Sequence, residues 1–379
     1  MNAPAQGDIV LVTGGAGYIG SHTCKALAQA GFRPITYDNL STGNSWAVRW
    51  GPLELGDILD LRRLQEVVQA HRPAAIMHFA ASARVGESMI EPGLYYRNNL
   101  VGSINLLDVA REHGITTAVF SSSCATYGIP ERVPIPATAP QKPINPYGRS
   151  KLMMEQILAD YDRAYGLKSA ILRYFNAAGA DPDTEIGETR AIESHLVPLA
   201  LDAMLGMRPP LKVYGSDYPT PDGTAIRDYI HVSDLGEAHV AALRRLLDTK
   251  ASFVANLGTG KGISVNHVIN AIERVTERHV PRELAPRRAG DPPELIADPK
   301  SSEVLLGLDL RRSEIETIIE TAWRWHLRLS GRQSAGPDLK RLRRPVRHRG
   351  AHGAADSSMG GAKQSTPMPT PQIPRATGT

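Results

Sequence analysis

From Asp8 to about Arg173, short apolar and β-branched runs alternate with stretches whose apolar positions recur every three or four residues. That alternation marks repeated βαβ units and a parallel sheet. Strands are expected at Ile9–Val12, Pro34–Tyr37, Ala75–Phe79, Ala118–Ser121 and Ala170–Arg173. Helical spacing runs through Ile19, Thr23, Ala26, Leu27 and Ala30, then through Leu61, Leu64, Val67 and Val68 with Asp57 as the expected N-cap. A further helix opens at Pro146, whose fixed φ suits a first turn, and continues through Leu152, Glu155, Gln156, Leu158 and Ala159.

After Asn176 the regularity weakens, because turn-rich segments at 177–189 and 214–224 interrupt it. Helices are still expected over 233–247, over 265–277 behind Ser264 as cap, and over 314–329 behind a capping box in which Ser313 and Glu316 serve each other's amides. From Gly331 onward Arg, Gly, Pro, Ser and Thr dominate without an apolar period, the composition of a disordered extension. The expected architecture is α/β: a doubly wound, Rossmann-type parallel sheet over 8–176 and a smaller mixed α/β domain over 177–330. Elements near 226–250 are expected to pack back on the first domain, and 331–379 form a basic tail.

Composition narrows the class. A length of 379 residues excludes one small domain, and 42% apolar with 22% charged residues is enough for a sizeable core. No apolar run reaches the roughly 18 residues of a membrane span, and Met1–Asp8 has neither the basic start nor the apolar stretch of a secretory signal. Two cysteines, Cys24 and Cys124, provide no disulfide framework and no four-thiolate zinc site, so a reducing, cytoplasmic setting is expected. The net charge of +4 is misleading, because residues 331–379 carry nine Lys or Arg against two Asp, a surplus of +7 that leaves the body at −3. A nucleic-acid-binding body is therefore not supported.

The first expected strand runs into Thr13-Gly14-Gly15-Ala16-Gly17-Tyr18-Ile19-Gly20 and then a helix. Glycines at 14, 17 and 20 allow a tight turn, close approach to a pyrophosphate and close helix–sheet packing. Asp38 ends the second strand, where a carboxylate accepts from ribose hydroxyls, and Asn39-Leu40-Ser41 adds no cation to hold an extra phosphate. NAD is thus expected rather than NADP. Asp57 either contacts adenine or caps a helix. In Tyr147-Gly148-Arg149-Ser150-Lys151 the phenol and ammonium are four residues apart, on one helix face. A cation beside a phenol favours the phenolate, a usable base. Ser121-Ser122-Ser123 leaves the C-terminal end of a strand, where open α/β sheets bind ligands.

Together with Arg173-Tyr174-Phe175-Asn176 and Arg227-Asp228-Tyr229-Ile230-His231-Val232, these motifs resemble the extended short-chain dehydrogenase/reductase family, in its UDP-glucose 4-epimerase branch, over residues 8–328. The resemblance implies catalysis by Ser123, Tyr147 and Lys151. It implies an NAD site of Gly14, Gly17, Tyr18, Ile19, Gly20, Asp38, Asn39, Asp57, Ile58, Phe79, Ala80, Asn98, Lys151 and Tyr174. Around a UDP-hexose it places Ser123, Tyr147, Asn176, Leu196, Arg227, Tyr229, Arg288, Asp291 and Leu295, with no metal. The implied reaction interconverts UDP-glucose and UDP-galactose by C4 oxidation, rotation of a 4-keto sugar and re-reduction on its other face. A homodimer is implied through 94–113 and 146–165, where Leu100, Ile104, Leu107, Met153 and Ile157 either form its apolar surface or face the core.

Dehydratases and decarboxylases of the same family carry a carboxylate beside the strand-end residue, whereas this chain has Ser123-Cys124-Ala125-Thr126. The remaining rivals are a UDP-glucuronate 4-epimerase, with Arg84 and Arg190 as carboxylate partners, and a non-catalytic NAD sensor. His78, His195 and His231 lack metal-ligand spacing and read as structural, and Cys124 reads as a packing residue. Two positions depart from the family pattern. Ala83 stands where some members have lysine, with Arg84 its neighbour, and Leu295 stands at the sugar-pocket gate with a size that leaves 2-acetamido sugars undecided.

Overall fold

A computed structural model describes residues 8–288 and 291–331. The expected tail lies, from residue 332, outside the described residues. In chain order the elements of the first layer are β1 (Ile9–Thr13), α1 (Tyr18–Gln29), β2 (Arg33–Asp38), β3 (Leu53–Leu55), α2 (Leu61–His71), β4 (Ala75–His78), α3 (Val85–Ile90) and α4 (Pro92–Tyr96). After a π-helical turn at Arg97–Val101 come α5 (Gly102–Glu112), β5 (Thr117–Ser123), α6 (Pro146–Tyr165) and β6 (Lys168–Tyr174). The chain continues through β7 (Asn176–Ala178), α7 (Leu196–Met204), β8 (Leu211–Tyr214), β9 (Ile226–His231), α8 (Val232–Thr249) and β10 (Phe253–Leu257). It ends with β11 (Gly262–Ser264), α9 (Val265–Thr276), β12 (Arg282–Ala285), β13 (Glu294–Leu295), α10 (Lys300–Leu306) and α11 (Ile315–Leu329).

Seven parallel strands form the central sheet in the order β10-β6-β5-β4-β1-β2-β3. Both faces are covered, which explains strand sequences that are apolar nearly throughout. Successive side chains go to opposite faces. Val10, Val12, Met77, Val119 and Leu172 join Leu27, Leu235 and Leu243 from α1 and α8. Their neighbours Leu11, Ile76, Phe120 and Ile171 join Leu64, Leu106 and Leu158 from α2, α5 and α6. Thus α8 and β10, from the second half of the chain, complete the first layer. A third core of α7, α9 and α11 gathers Leu201, Val268, Ile272, Ile318 and Ile319 over Tyr229 of β9.

Local start signals were only partly readable. Ser264 caps α9 by accepting from His267 N at 3.1 Å, and Pro146 opens α6 behind Asn145, which accepts from Gly148 N at 2.8 Å. The expected cap Asp57 is three residues early: Asp60 accepts from Arg63 N, while Asp57 turns its own loop by accepting from Leu59 N. The capping box at α11 does not form, because longer-range partners outcompete it. Ser313 donates to Asp234 and accepts from His231 N, and Glu316 pairs with Arg274. Leu107 faces the core at 4% exposure, whereas Met153 is exposed.

Trp325 of α11 is fully buried against Gly187, where a Cβ would come within 2.5 Å of its ring, and its Nε1 donates to Glu188 O at 3.0 Å. This contact fixes the approach to α7. Trp325→Ala is expected to lower the unfolding free energy by about 3–5 kcal/mol in equilibrium denaturation; a loss below ~1 kcal/mol would contradict that anchoring role.

Candidate active site

Parallel strands place all their C-terminal ends on one edge, and ligands of such sheets bind there, at the point where strand order reverses. Here the reversal lies between β1 and β4. Asp38 ends β2, Phe79 follows β4, Ser123 ends β5 and Tyr174 ends β6, so residues scattered over 136 positions share one edge. Gly14 and Phe79 flank the reversal itself, since Phe79 and Ala80 both donate their amides to Thr13 O.

The glycine loop is held by contacts that forbid a side chain. Gly14 has φ +75°, and a Cβ there would lie 2.6 Å from Ala80 N; a Cβ on Gly20 would lie 2.2 Å from Gly14 O. Gly17 is the N-cap of α1, no side chain caps the helix, and Tyr18 and Ile19 open its first turn. Asp38 accepts from Ala16 N at 3.0 Å and from Leu40 N at 2.8 Å, and burial raises its pKa against these bonds. Beside it Asn39 donates to Asp57 at 2.8 Å, and Ile58 is buried under Gly102. An uncapped helix start behind a glycine cradle, with an acceptor carboxylate at the next strand end, fits an adenine dinucleotide.

The structure brings Ser123, Tyr147 and Lys151 together. Ser123 and Tyr147 are each 8% exposed, and the Ser123 hydroxyl, which accepts from Ala125 N at 3.1 Å, acts on the Tyr147 phenol in the direction that lowers its pKa. Lys151 Nζ lies 6.0 Å from the Tyr147 ring centroid and donates to Ser121 O at 2.8 Å. Tyr174 meets Ser121 Oγ at 2.5 Å. The electrostatics differ from the expected phenolate. Burial pushes the Tyr147 pKa up, with Tyr174 adding to it, and pushes Lys151 down to about 7 against the pull of Glu155. Desolvation outweighs the neighbouring cation because both groups are enclosed.

Asn98 lies in the π-helical turn and donates to Asn99 at 3.0 Å. Asn99, which the sequence reading missed, is the larger structural contributor: it accepts from Ser82 N and donates to Ser82 O and Ser150 Oγ, tying the loop after β4 to α6. Its only sequence signal is its place beside Asn98. Asp228 was also missed as a contact residue, although its motif was singled out. It is fully buried and accepts from Thr259 and Gly260 and from Ala297 N, joining β9 to the segments after β10 and β13.

The positions expected around a nucleotide sugar meet on the second sheet. Asn176 of β7 pairs in register with Tyr229 of β9, and Leu295 of β13 with Arg227. Arg227 and Tyr229, two apart on one strand, share a face. Arg227 pairs with Asp291 and donates to Pro292 O, and Leu196 opens α7 below. Arg288 stacks on Tyr214, its guanidinium carbon 4.0 Å from the ring centroid, apart from this sheet's pairings. Tyr18 OH donates to Gly179 O at 2.7 Å, linking the glycine loop to this layer.

Arg84, the neighbour of Ala83, is engaged by Glu87. Arg190 and His195 both lie on the buried Glu188 carboxylate, at 3.0 and 2.9 Å. His78 bridges Thr13 and Ser103, and His231 accepts from Ser233 N and meets Thr321, which are structural roles. Burial lifts the Cys124 thiol to about 12, so it is inert as a nucleophile. The acidic group Asp181, Asp183 and Glu185 gathers around Lys25 Nζ at 2.7–2.9 Å, and Glu185 also meets Arg49 at 3.1 Å.

Comparison with known proteins gives this geometry a family. Residues 10–258 match the model of the NAD dependent epimerase/dehydratase family. The UDP-glucose 4-epimerase of Rhizobium leguminosarum bv. trifolii is 52% identical over 320 residues, covering 84% of this chain and 98% of the relative. The crystal structure of UDP-glucose 4-epimerase from Brucella ovis in complex with NAD aligns with a TM-score of 0.82 and 53% identity, over 84% of this chain and 98% of that one. The UDP-Glc/GlcNAc 4-epimerase of Campylobacter jejuni aligns with a TM-score of 0.74 and 40% identity, over 85% and 99%. A glycine cradle that excludes side chains, a serine, tyrosine and lysine meeting at the adjoining strand ends, and these similarities lead to one conclusion: the chain belongs to the NAD dependent epimerase/dehydratase family.

Proposed function

We propose that the protein is an NAD-dependent isomerase that interconverts UDP-glucose and UDP-galactose at C4. The observation that carries this reading is the enclosed Ser123–Tyr147–Lys151 group at the sheet edge beside the glycine loop. Residues 8–176 hold NAD in this reading, through Gly14, Gly17, Gly20, Asp38 and the neighbours expected above, and 177–330 supply most of the nucleotide-sugar site. The chemistry a bound nicotinamide supplies is reversible hydride exchange with C4, so a 4-keto sugar lies between the two epimers.

The chain's residues handle the proton and the geometry. Tyr147 Oη takes the C4 hydroxyl proton and later returns it, with Ser123 Oγ hydrogen-bonding the same oxygen. Lys151, seated on Ser121 O, gives the phenolate a nearby positive charge among largely buried side chains. Arg227, with Asp291 orienting it, and Arg288 are suited to the diphosphate, and Asn176 offers its amide to the sugar. A link held only at the diphosphate leaves the 4-keto ring free to turn its other face. The absence of a carboxylate beside Ser123 favours epimerisation over dehydration.

A cytoplasmic homodimer completes the reading. Val85, Met89 and Ile90 of α3, Leu94 of α4, Val101 and Met153 of α6 are all exposed, an apolar surface suited to pairing with a second copy. Among the described residues no helix is long and apolar enough to cross a membrane.

Two outcomes test the reaction. Tyr147→Phe is expected to reduce conversion of UDP-galactose by at least about 100-fold while NAD still copurifies, measured by resolving the nucleotide sugars and the released cofactor; near-normal turnover would sink the assignment. Leucine at 295 is smaller than a tyrosine, so UDP-N-acetylgalactosamine is expected to be converted as well. In Leu295→Tyr that activity falls at least about tenfold with UDP-galactose conversion retained; equal losses for both sugars would remove Leu295 as the gate.

A further inference from the structure

Glu155 follows Lys151 by one helical turn and Tyr147 by two, on the same face of α6, and is 6% exposed. Its carboxylate accepts from Ser122 Oγ at 2.5 Å, Gln141 Nε2 at 2.9 Å and Arg173, whose Nη2 approaches to 2.6 Å and Nε to 3.0 Å. Arg173 is buried too, and its Nη1 donates to Ala137 O and to the Tyr127 hydroxyl, which donates to Asn256. The network joins α6 to β5, β6, β10 and the loop between β5 and α6. Replacing a buried ion pair by apolar residues of similar volume is often neutral or stabilising, so stability alone is a weak reason for this one.

Its position suggests another role. The groups around Lys151 and its partner Tyr147 are almost all neutral. His78 of β4 is held uncharged by burial, Tyr174 of β6 and Tyr95 of α4 are phenols with raised pKa values, and Cys124 is a buried thiol. On α3, Glu87 is matched by Arg84, and Arg97 of the π-helical turn is exposed. Arg149, on the same helix, is exposed as well. Glu155 is the carboxylate whose charge bears on Lys151, raising its pKa against burial.

We propose that Glu155, clamped by Arg173, Ser122 and Gln141, is a positioning residue for the epimerisation, keeping Lys151 seated beside Tyr147 and in its ammonium form. This role rests on the reaction proposed above. The bonds of Arg173, Ser122 and Gln141 hold the carboxylate in place, so the ammonium faces a fixed group rather than a mobile counter-ion.

The test is the pH dependence of kcat for UDP-galactose in holoenzyme carrying Glu155→Gln, with Glu155→Gln/Arg173→Met as a second variant in which no buried charge is left unpaired. Loss of the carboxylate moves the alkaline limb, set by Lys151 deprotonation, to lower pH by at least about one unit in both variants. Arg173→Lys, which keeps the carboxylate matched, leaves the limb in place. NMR of protein carrying labelled lysine, with Lys151→Met for assignment, reads the same downward shift without substrate. Variants that lose thermal stability or kcat equally at every pH, with the limb and the Lys151 titration unmoved, overturn the proposal. A wild type that never converts UDP-galactose counts against the reaction, and the lysine titration still decides the role of Glu155.

Discussion

The site depends on a close backbone approach between two strand ends. Where β1 turns into α1, Gly14 passes over Phe79 and Ala80 at the end of β4, so tightly that a Cβ would come within 2.6–2.9 Å of three backbone atoms. That contact fixes the helix start relative to the sheet edge, and Gly20 lets the helix close back onto Gly14. A wider turn would carry α1 away from the strand ends. The Tyr18 bond to Gly179 and the packing of α8 on the same face would then lose their geometry, because both begin from α1.

The same enclosure acts on the buried Tyr147 and Lys151 side chains. Burial works against both ionised forms at once: it holds Tyr147 protonated and weakens the hold of Lys151 on its proton. The network around Glu155 bears on the second effect, since a fixed carboxylate offsets part of the desolvation of Lys151 without opening the site to water.

Legibility from sequence followed the range of the interaction. The five main strands and the helices at 18–29, 61–71, 146–165, 232–249, 265–276 and 315–329 were visible because periodic burial acts over neighbouring positions. The glycine loop and the Tyr147–Lys151 spacing were visible for the same reason. What failed was the ordering of competing partners across the chain. Ser313 has the local signature of a capping box, yet Asp234, 79 residues away, takes its hydroxyl. Asp57 and Asp60 are equivalent as caps until the loop places one at the helix start. Asn99, Asp228 and Glu155 act through partners that sequence spacing does not reveal. The residues expected around the sugar came from family resemblance, because a sheet assembled from residues 176, 229, 227 and 295 leaves no local pattern.

The second sheet also fixes the surroundings of Leu295. Leu295 is paired directly beside Arg227 and packs against the cluster of Tyr127, Ile135, Phe175 and Ala297, while Asp228, on the opposite face of β9, pins the backbone after β13 through Ala297. A strand of two residues has little pairing of its own and would shift under a bulky ligand. Bonded through Asp228 and Ile135, which accepts from Asp298 N, it is instead a fixed wall. In the function proposed above, the space for the sugar is then set by the side chain at 295 rather than by backbone movement, and a substitution there leaves the cradle, the tyrosine and the lysine as they are.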